Sequence, residues 1–466
     1  MSAQRDSSRR SPRPLGVEAF GALRAEHEPW LMRCFVPPPE FERVIGPESV
    51  IVFGRVGTGK TALARALREH SRLEGYLTLD WHPAPDASPG GSRAPSPIYG
   101  QFDHLLDACA RALANFLARE PGAWAGAPEW ARARVVWFLH TCTAGALGVR
   151  LGPLLEGDSA GAALLREIVS QSPREILYPN APRDQIIAEL MSAVLGLGLK
   201  GIWVLVEGVE RWFHVHREGM SALMRAFLDT LPLFERPEMA FKVFAPADME
   251  PVLSGAGGLL RRRLNAYRLR WDEERLRHIV EVRLGAVLGA DRFPLERLCS
   301  DPHLLTWLRR VGAESPREWL TQVRPLLERY VEKGGRAPVD GQEWRELRRK
   351  YPPRLHLDEQ RGRVLVGARE IPVSRLPAKA YEMLKYLYYE RPGQVVSKAE
   401  LYFRFYRNRD SVPRSPEDEE YEFHKEFESV MDTTLWRLRR AIEPDPSDPV
   451  LLVTVRGHGV RLMVRW

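Results

Sequence analysis

Short apolar runs bounded by glycine or charge recur through the first 270 residues and predict strands at 48–53, 75–81, 201–206, 240–244 and 267–269. Apolar positions at helical spacing lie between them, at 62–69, in pieces of 98–169 such as FDHLLDACARALANFLA, at 184–195 and at 218–231. Strands alternating with helices predict a mainly parallel sheet covered on both faces. The proline- and glycine-rich stretch 83–97 reads as a loop. From 272 to 332 the spacing is helical throughout, broken at Gly289, Pro302 and Pro316. Residues 333–353 are polar and rich in breakers, which predicts a linker with one short helix. Strict alternation in LHLDEQRGRVLVGAREIPVS then predicts a small antiparallel sheet. Two helices around a Pro-Gly turn follow, then a third with Val430, Leu435, Leu438 and Ile442 inward, and a hairpin around 457–459.

Four hundred and sixty-six residues exceed one ordinary domain and suffice for two or three. No run of eighteen apolar residues appears, and MSAQRDSSRRSPRP lacks an apolar h-region, so a cytoplasmic protein without a membrane span is expected. Residues 1–15, poor in large apolar groups, are expected to be disordered. Cys34, Cys109, Cys142 and Cys299 are far apart with no CxxC pair, which predicts reduced thiols and no zinc site. A net charge of +7 permits a nucleic-acid partner without arguing for one.

Chemistry concentrates in IVFGRVGTGKT, residues 51–61, where an apolar strand empties into a glycine-rich turn and a helix. Such a turn lets backbone N–H groups curl around phosphate oxygens. Gly54, Gly57, Thr58 and Gly59 would form the cradle, Lys60 would reach the β and γ phosphates, and the Thr61 hydroxyl would ligate Mg2+. The expected cofactors are therefore ATP or GTP with Mg2+. A second strand end must supply an acid for the metal and the attacking water. IWVLVEGVERWF offers Glu207 for metal and Glu210 for water, which with Lys60 make the expected catalytic set.

On these residues the chain resembles the STAND branch of AAA-like ATPases. That resemblance covers about 35–333 and implies a P-loop NTPase domain at 16–271 with a helical lid at 272–333. The family pattern of two aspartates and a final acid after the strand is replaced here by Glu207, Glu210 and Arg211. The next strand carries no polar sensor group at Phe244, Ala245 or Pro246, which implies slow turnover. The resemblance also implies a phosphate contact from Arg317 in SPREWL, and a reach toward a neighbouring subunit's phosphate from Arg261, Arg262 and Arg263. Read without it, Ser315-Pro316 is a helix N-cap and first position.

After the linker at 334–353, residues 354–466 follow the order sheet, three helices, hairpin, and resemble the OmpR/PhoB-type winged-helix domain. PGQVVSKAEL stands at the second helix, WRLRRAI at the end of the recognition helix, and TVRGHGVRL as the wing. The resemblance implies contacts to double-stranded DNA from Asp432, Thr433, Trp436, Arg437 and Arg440, and from Arg456 in the wing. Trp436 packing on the sheet is the other reading of that residue. Two features depart from the family: Val460 replaces an aromatic residue, and the turn before the third helix is expanded over 408–425 with SPEDEEYEFHKE. The domain holds 20 Lys and Arg against 18 Asp and Glu, and seven of those acids lie in 417–428. That charge would repel phosphates at short range and fits a protein partner.

The fold class expected is an α/β P-loop NTPase core with a parallel sheet, a helical lid and a C-terminal α+β winged-helix domain. Three functions follow. The first is a nucleotide-controlled switch that presents the winged helix to DNA, as a transcription regulator or a defence or mobile-element sensor, with nucleotide-dependent self-association. The second is a DNA-handling ATPase that oligomerises on duplex DNA and recruits another enzyme. The third is a hydrolytically weak scaffold whose winged helix binds protein.

Overall fold

The computed structural model describes residues 28–82, 97–174, 181–209, 236–251, 264–409 and 424–464, with a few isolated positions beside them. The chain forms two compact units, Pro37–Arg270 and a second one made of Met1–Val36 with Trp271–Trp466.

The unit Pro37–Arg270 is built on five parallel strands: β1 (Val50–Gly54), β2 (Leu77–Trp81), β3 (Ile202–Val206), β4 (Met239–Pro246) and β5 (Asn265–Arg268). Their spatial order is β2-β3-β4-β1-β5. All residues of β1 and β3 are buried, as is β4 up to its last residue. Near-continuous apolar runs of this kind belong to a parallel sheet covered on both faces, as expected. Among the helices, α1 (Lys60–Leu73) follows β1 directly, and α2 (Pro97–Arg119), α3 (Glu129–Cys142), α4 (Ala160–Ser170) and α5 (Arg183–Gly196) lie between β2 and β3. Leu105, Leu113, Phe138, Leu165 and Leu190 from these last four join Leu79, Val204 and Phe241 in one core. The predicted helix at 218–231 and the loop at 83–96 lie outside the described residues.

One charge interrupts this core. Lys242 in β4 is fully buried, with Nζ donating to Gly46 O at 2.5 Å and Glu48 O at 2.7 Å and lying 4.7 Å from the Trp203 ring centroid. Burial lowers its pKa to about 7, with the Glu48 carboxylate partly opposing.

The other unit holds α6 (Glu273–Leu288), α7 (Leu304–Gly312), α8 (Pro316–Glu332) and α9 (Gly341–Lys350). Asp340 caps α9 in a capping box with Glu343. Helix α9 is the one short helix within the polar stretch 333–353. Trp344 is buried edge-on to Trp307, the Arg348 guanidinium lies 4.7 Å from the Trp307 ring, and Arg348 and Arg349 both hold Asp448 at 2.9 and 2.6 Å. Glu28 and Arg283 are paired and buried, and the residues up to Val36 group with this unit and not with Pro37–Arg270. Residues 1–15 lie outside the described residues.

The same unit continues with an antiparallel sheet of β6 (Leu355–Asp358), β7 (Arg363–Val366) and β8 (Arg369–Pro372). Helix α10 (Ala378–Lys385), strand β9 (Val395–Val396), helices α11 (Lys398–Tyr406) and α12 (His424–Ile442), and the hairpin β10 (Leu452–Val455) and β11 (Gly459–Leu462) follow. These last three strands pair in the order β10-β11-β9. Hydrogen bonds join α7 to this part: Ala368 N donates to Val311 O, and the Arg310 side chain donates from Nη1 to Pro444 O. Among the described residues no helix is long and apolar enough to cross a membrane. Cys34, Cys109, Cys142 and Cys299 are unbridged, all but Cys142 fully buried.

Candidate functional site

Strand β1 ends at Gly54 and α1 starts at Lys60, so the intervening turn is five residues, Arg55 to Gly59. Gly57 and Gly59 adopt φ of 83° and 96°, a region that a side chain disfavours and that a tight glycine-rich turn requires. Gly54 is needed for space, because a Cβ there would sit 2.5 Å from Thr58 Oγ1. Thr58, 2% exposed, donates its hydroxyl to Arg55 O at 2.8 Å and so closes the turn from inside. Lys60 folds back across it, with Nζ 2.9 Å from Gly54 O and 3.1 Å from Arg55 O. No side chain caps the start of α1. The first N–H groups of that helix, its dipole and a lysine held at the turn fit an anionic phosphate chain. Thr61, half-buried in the first turn, carries its hydroxyl on the same helix end.

Glu207 follows the last residue of β3 and is half-buried. Val206 is level with Val243 of β4, and Val243 with Ile51 of β1. Glu207 therefore stands on the carboxyl edge of the sheet that carries the glycine-rich turn, separated from β1 by one strand. Ligands of open parallel sheets bind at that edge. His82, just past β2, brings Nδ1 within 3.1 Å of the Glu207 carbonyl oxygen. The sequence reading missed this residue, since a lone histidine after a strand carries no motif. Phe244 and Ala245 are buried, so the end of β4 offers the turn no polar side chain before Asp248, in the following short 3-10 helix Ala247–Met249.

Thus the structure groups Gly54, Gly57, Thr58, Gly59, Lys60 and Thr61 in one turn and puts Glu207 on the same sheet edge. Glu210, with Arg211 and Arg261 to Arg263, lies outside the described residues. Arg317 belongs to the other compact unit, as the second residue of α8, where Ser315 caps the helix by accepting Glu318 N at 3.3 Å.

The second candidate site is the outer face of α12. Phe427, Met431, Thr434, Leu435, Leu438 and Ile442 turn inward, while Val430 is only half-buried. The opposite stripe carries Asp432, Thr433, Trp436, Arg437 and Arg440, all exposed. Helical spacing puts these five on one face. Trp436, at 54% exposure, does not pack on the sheet, and the Arg440 guanidinium lies 5.2 Å from its ring centroid. Asp432 is paired with Lys398 of α11 at 2.6 Å. Arg437 and Arg456 have no acidic partner among the described residues.

Two interactions fix the hairpin to this helix. Arg439 donates to Leu452 O at 2.9 Å and to Thr454 Oγ1 at 2.6 Å. Glu443, 1% exposed, accepts the backbone N–H groups of Val450, Leu451 and Leu452 at 2.9, 2.9 and 2.6 Å. Arg456 then sits in the turn between β10 and β11. Most of the acidic stretch at 408–425 lies outside the described residues.

No family model matches the chain. It is similar to the sensory transduction protein RegX3 of Mycolicibacterium smegmatis, 29% identical over 148 residues, which are 32% of this chain and 54% of that protein. Protein PetR of Rhodobacter capsulatus is 29% identical over 147 residues, 32% of this chain and 53% of PetR. The chain thus spans about half the length of the curated relatives it matches. Among solved structures, the Aeropyrum pernix ORC2 protein in its ADPNP–ADP complexes aligns with 98% of this chain and 92% of its own, at a TM-score of 0.33 and 13% identity. Its ADP form aligns with 92% and 88%, at 0.30 and 14%. At such TM-scores the likeness carries no argument, and the α/β assignment rests on the parallel sheet itself.

Proposed function

We propose that this protein is a nucleotide-controlled switch of the STAND-like ATPase kind, which presents a C-terminal winged-helix domain at 354–466 to double-stranded DNA as a regulator. The observation that carries the reading is the pairing, in one chain, of the phosphate turn around Lys60 with the exposed basic face of α12. The curated relatives, one a sensory transduction protein, support the regulatory half.

In this reading the turn binds ATP or GTP, Lys60 contacts the β and γ phosphates, and Thr61 and Glu207 hold Mg2+ with them. No group of three His, Cys, Asp or Glu among the described residues could hold a metal. Mg2+ would therefore arrive with the phosphates, which suits an ion that keeps its waters and takes few protein ligands. Glu210 is the candidate to orient the attacking water. The apolar end of β4 supports slow turnover, so occupancy rather than hydrolysis rate sets the state. Self-association on nucleotide would raise the local concentration of winged helices and strengthen DNA binding by avidity.

The test is a mobility-shift titration of the full chain on genomic and random-sequence duplexes with ATP, ADP or no nucleotide, repeated for Lys60→Ala. DNA affinity or oligomeric state should follow the nucleotide in the wild type and lose that response in the variant. If both are indifferent to nucleotide and to Lys60, the switch reading falls.

A further inference from the structure

We infer that Trp436 is a specificity-determining residue, which reads the 5-methyl group of thymine in the major groove. The inference rests on the reading of α12 as a DNA-recognition helix and adds what that helix selects.

A large apolar side chain at 54% exposure on a helix face is normally left without a task, but the surroundings of Trp436 commit it to one kind of occupant. Its neighbours on the exposed stripe are Thr433, Arg437 and Arg440, and the one acid among them, Asp432, is paired with Lys398. Two of the flanking arginines, Arg437 and the hairpin's Arg456, lack acidic partners among the described residues. A face this basic around an indole is complementary to a polyanion that also offers apolar contacts. Duplex DNA is such a ligand, and a thymine methyl is the apolar group its major groove displays. A protein surface would have to bring acids for all three arginines.

Arg440 sharpens the argument. Its guanidinium lies 5.2 Å from the Trp436 ring centroid, a cation–π contact that restricts both side chains before any ligand arrives. A restrained indole meets a methyl group at low entropic cost. Arginine contacts to phosphate fix register on the duplex, whereas contact with a base methyl distinguishes sequence.

The test starts from duplexes recovered from a randomised pool by binding to the full chain, each prepared with thymine or with deoxyuridine in its place. The two share every hydrogen-bonding edge and differ only in the methyl. Wild-type chain should bind the thymine form about fourfold more tightly for each methyl it covers, the worth of one buried methylene. Trp436→Ala should bind both forms equally, with its salt slope unchanged, and Trp436→Phe should keep the preference. Arg437→Ala should lower the salt slope and leave the thymine preference in place. Equal binding of both forms by the wild type overturns the inference while leaving DNA binding intact. Failure to recover any duplex overturns both, and makes the indole face a protein contact.

Discussion

Arg283 closes on Glu28 across 255 residues of sequence, with Nη1 2.9 Å from Oε1 and Nη2 2.7 Å from Oε2. Two parallel bonds between fork and carboxylate, with both groups buried, tie the N-terminal segment to α6. Removing one partner strands the other charge in a low-dielectric site, which costs about 3–5 kcal/mol. Glu28→Gln should therefore shift the unfolding transition of the unit containing α6 to lower denaturant. Replacing both residues by apolar ones of similar volume should restore most of the loss. A single-variant shift below about 1 kcal/mol would show that water reaches the pair.

Lys242 gives the unit Pro37–Arg270 a pH dependence of predictable sign. Its amine has a folded pKa lowered to about 7, so the unfolded chain binds the extra proton between pH 7 and the ordinary lysine value. Stability must then rise with pH across that window, by up to about 1.4 kcal/mol per unit, and fall as pH drops toward 7. Glu48 and His70, the latter stacked on Trp203, also lie near the amine. The comparison is therefore with Lys242→Met, whose thermal midpoint should lack the rise between pH 7 and 9. A wild-type curve parallel to that of Lys242→Met would place the titration elsewhere.

How much could be read from residue order alone follows from the range of each interaction. Strands β1, β3 and β4 were legible because both their faces are buried and their apolar runs are continuous. The turn between β1 and α1 was legible because its parts are contiguous from Gly54 to Thr61. The exposed stripe of α12 was legible from helical spacing around Leu435, Leu438 and Ile442. What stayed hidden depends on partners far along the chain. WRELRRK looks like a solvated segment, yet Arg348 lies over Trp307 and bonds Asp448, 100 residues on. Lys242 looks like an interruption in a strand until the carbonyls of Gly46 and Glu48 are seen to receive it. Whether Trp436 faced solvent or sheet was open, because an indole is apolar enough to be covered by an element far along the chain.

The phosphate turn predicts two separable defects. Lys60→Ala removes a charged donor, and bonds to charged groups are worth about 1.5–3 kcal/mol each. Nucleotide affinity should fall roughly 10- to 150-fold by fluorescent-nucleotide titration, and the loss of the bonds to Gly54 O and Arg55 O should lower the midpoint without nucleotide by less than Gly54→Ala does. Gly54→Ala acts by a different route, since the new Cβ would meet Thr58 Oγ1 and displace the turn. It should lower both nucleotide affinity and the midpoint without nucleotide. Equal affinity for nucleotide in wild type and Lys60→Ala would remove the turn from the binding site.

Glu443 predicts a defect of the hairpin. Its carboxylate receives three buried backbone N–H groups, and Ala would leave them without acceptors at about 1–3 kcal/mol each, less what water recovers. Glu443→Ala should cost roughly 3 kcal/mol or more by denaturant titration. Hydrogen exchange at Val450, Leu451 and Leu452 should accelerate ahead of the rest of the unit. Glu443→Gln, which keeps an acceptor oxygen, should lose less. If exchange there is unchanged in Glu443→Ala, the three N–H groups have other acceptors.

The hairpin and α12 together predict how DNA affinity depends on salt. Arg437 is exposed on the helix, and Arg456 sits at the turn that Arg439 and Glu443 hold against it. Each phosphate neutralised by such a residue releases counterions and contributes about −0.9 to the slope of log affinity against log salt. Arg437→Ala with Arg456→Ala should therefore flatten the slope by about 2 if both meet phosphate, uniformly across sequences. A base contact from Arg437 would appear instead as lost discrimination at one position, worth about 1–3 kcal/mol. The hairpin's own stability should not change, because neither side chain bonds the described acids. An unchanged slope with unchanged discrimination would move the proposed DNA contact off this face, and with it the proposed output of the switch.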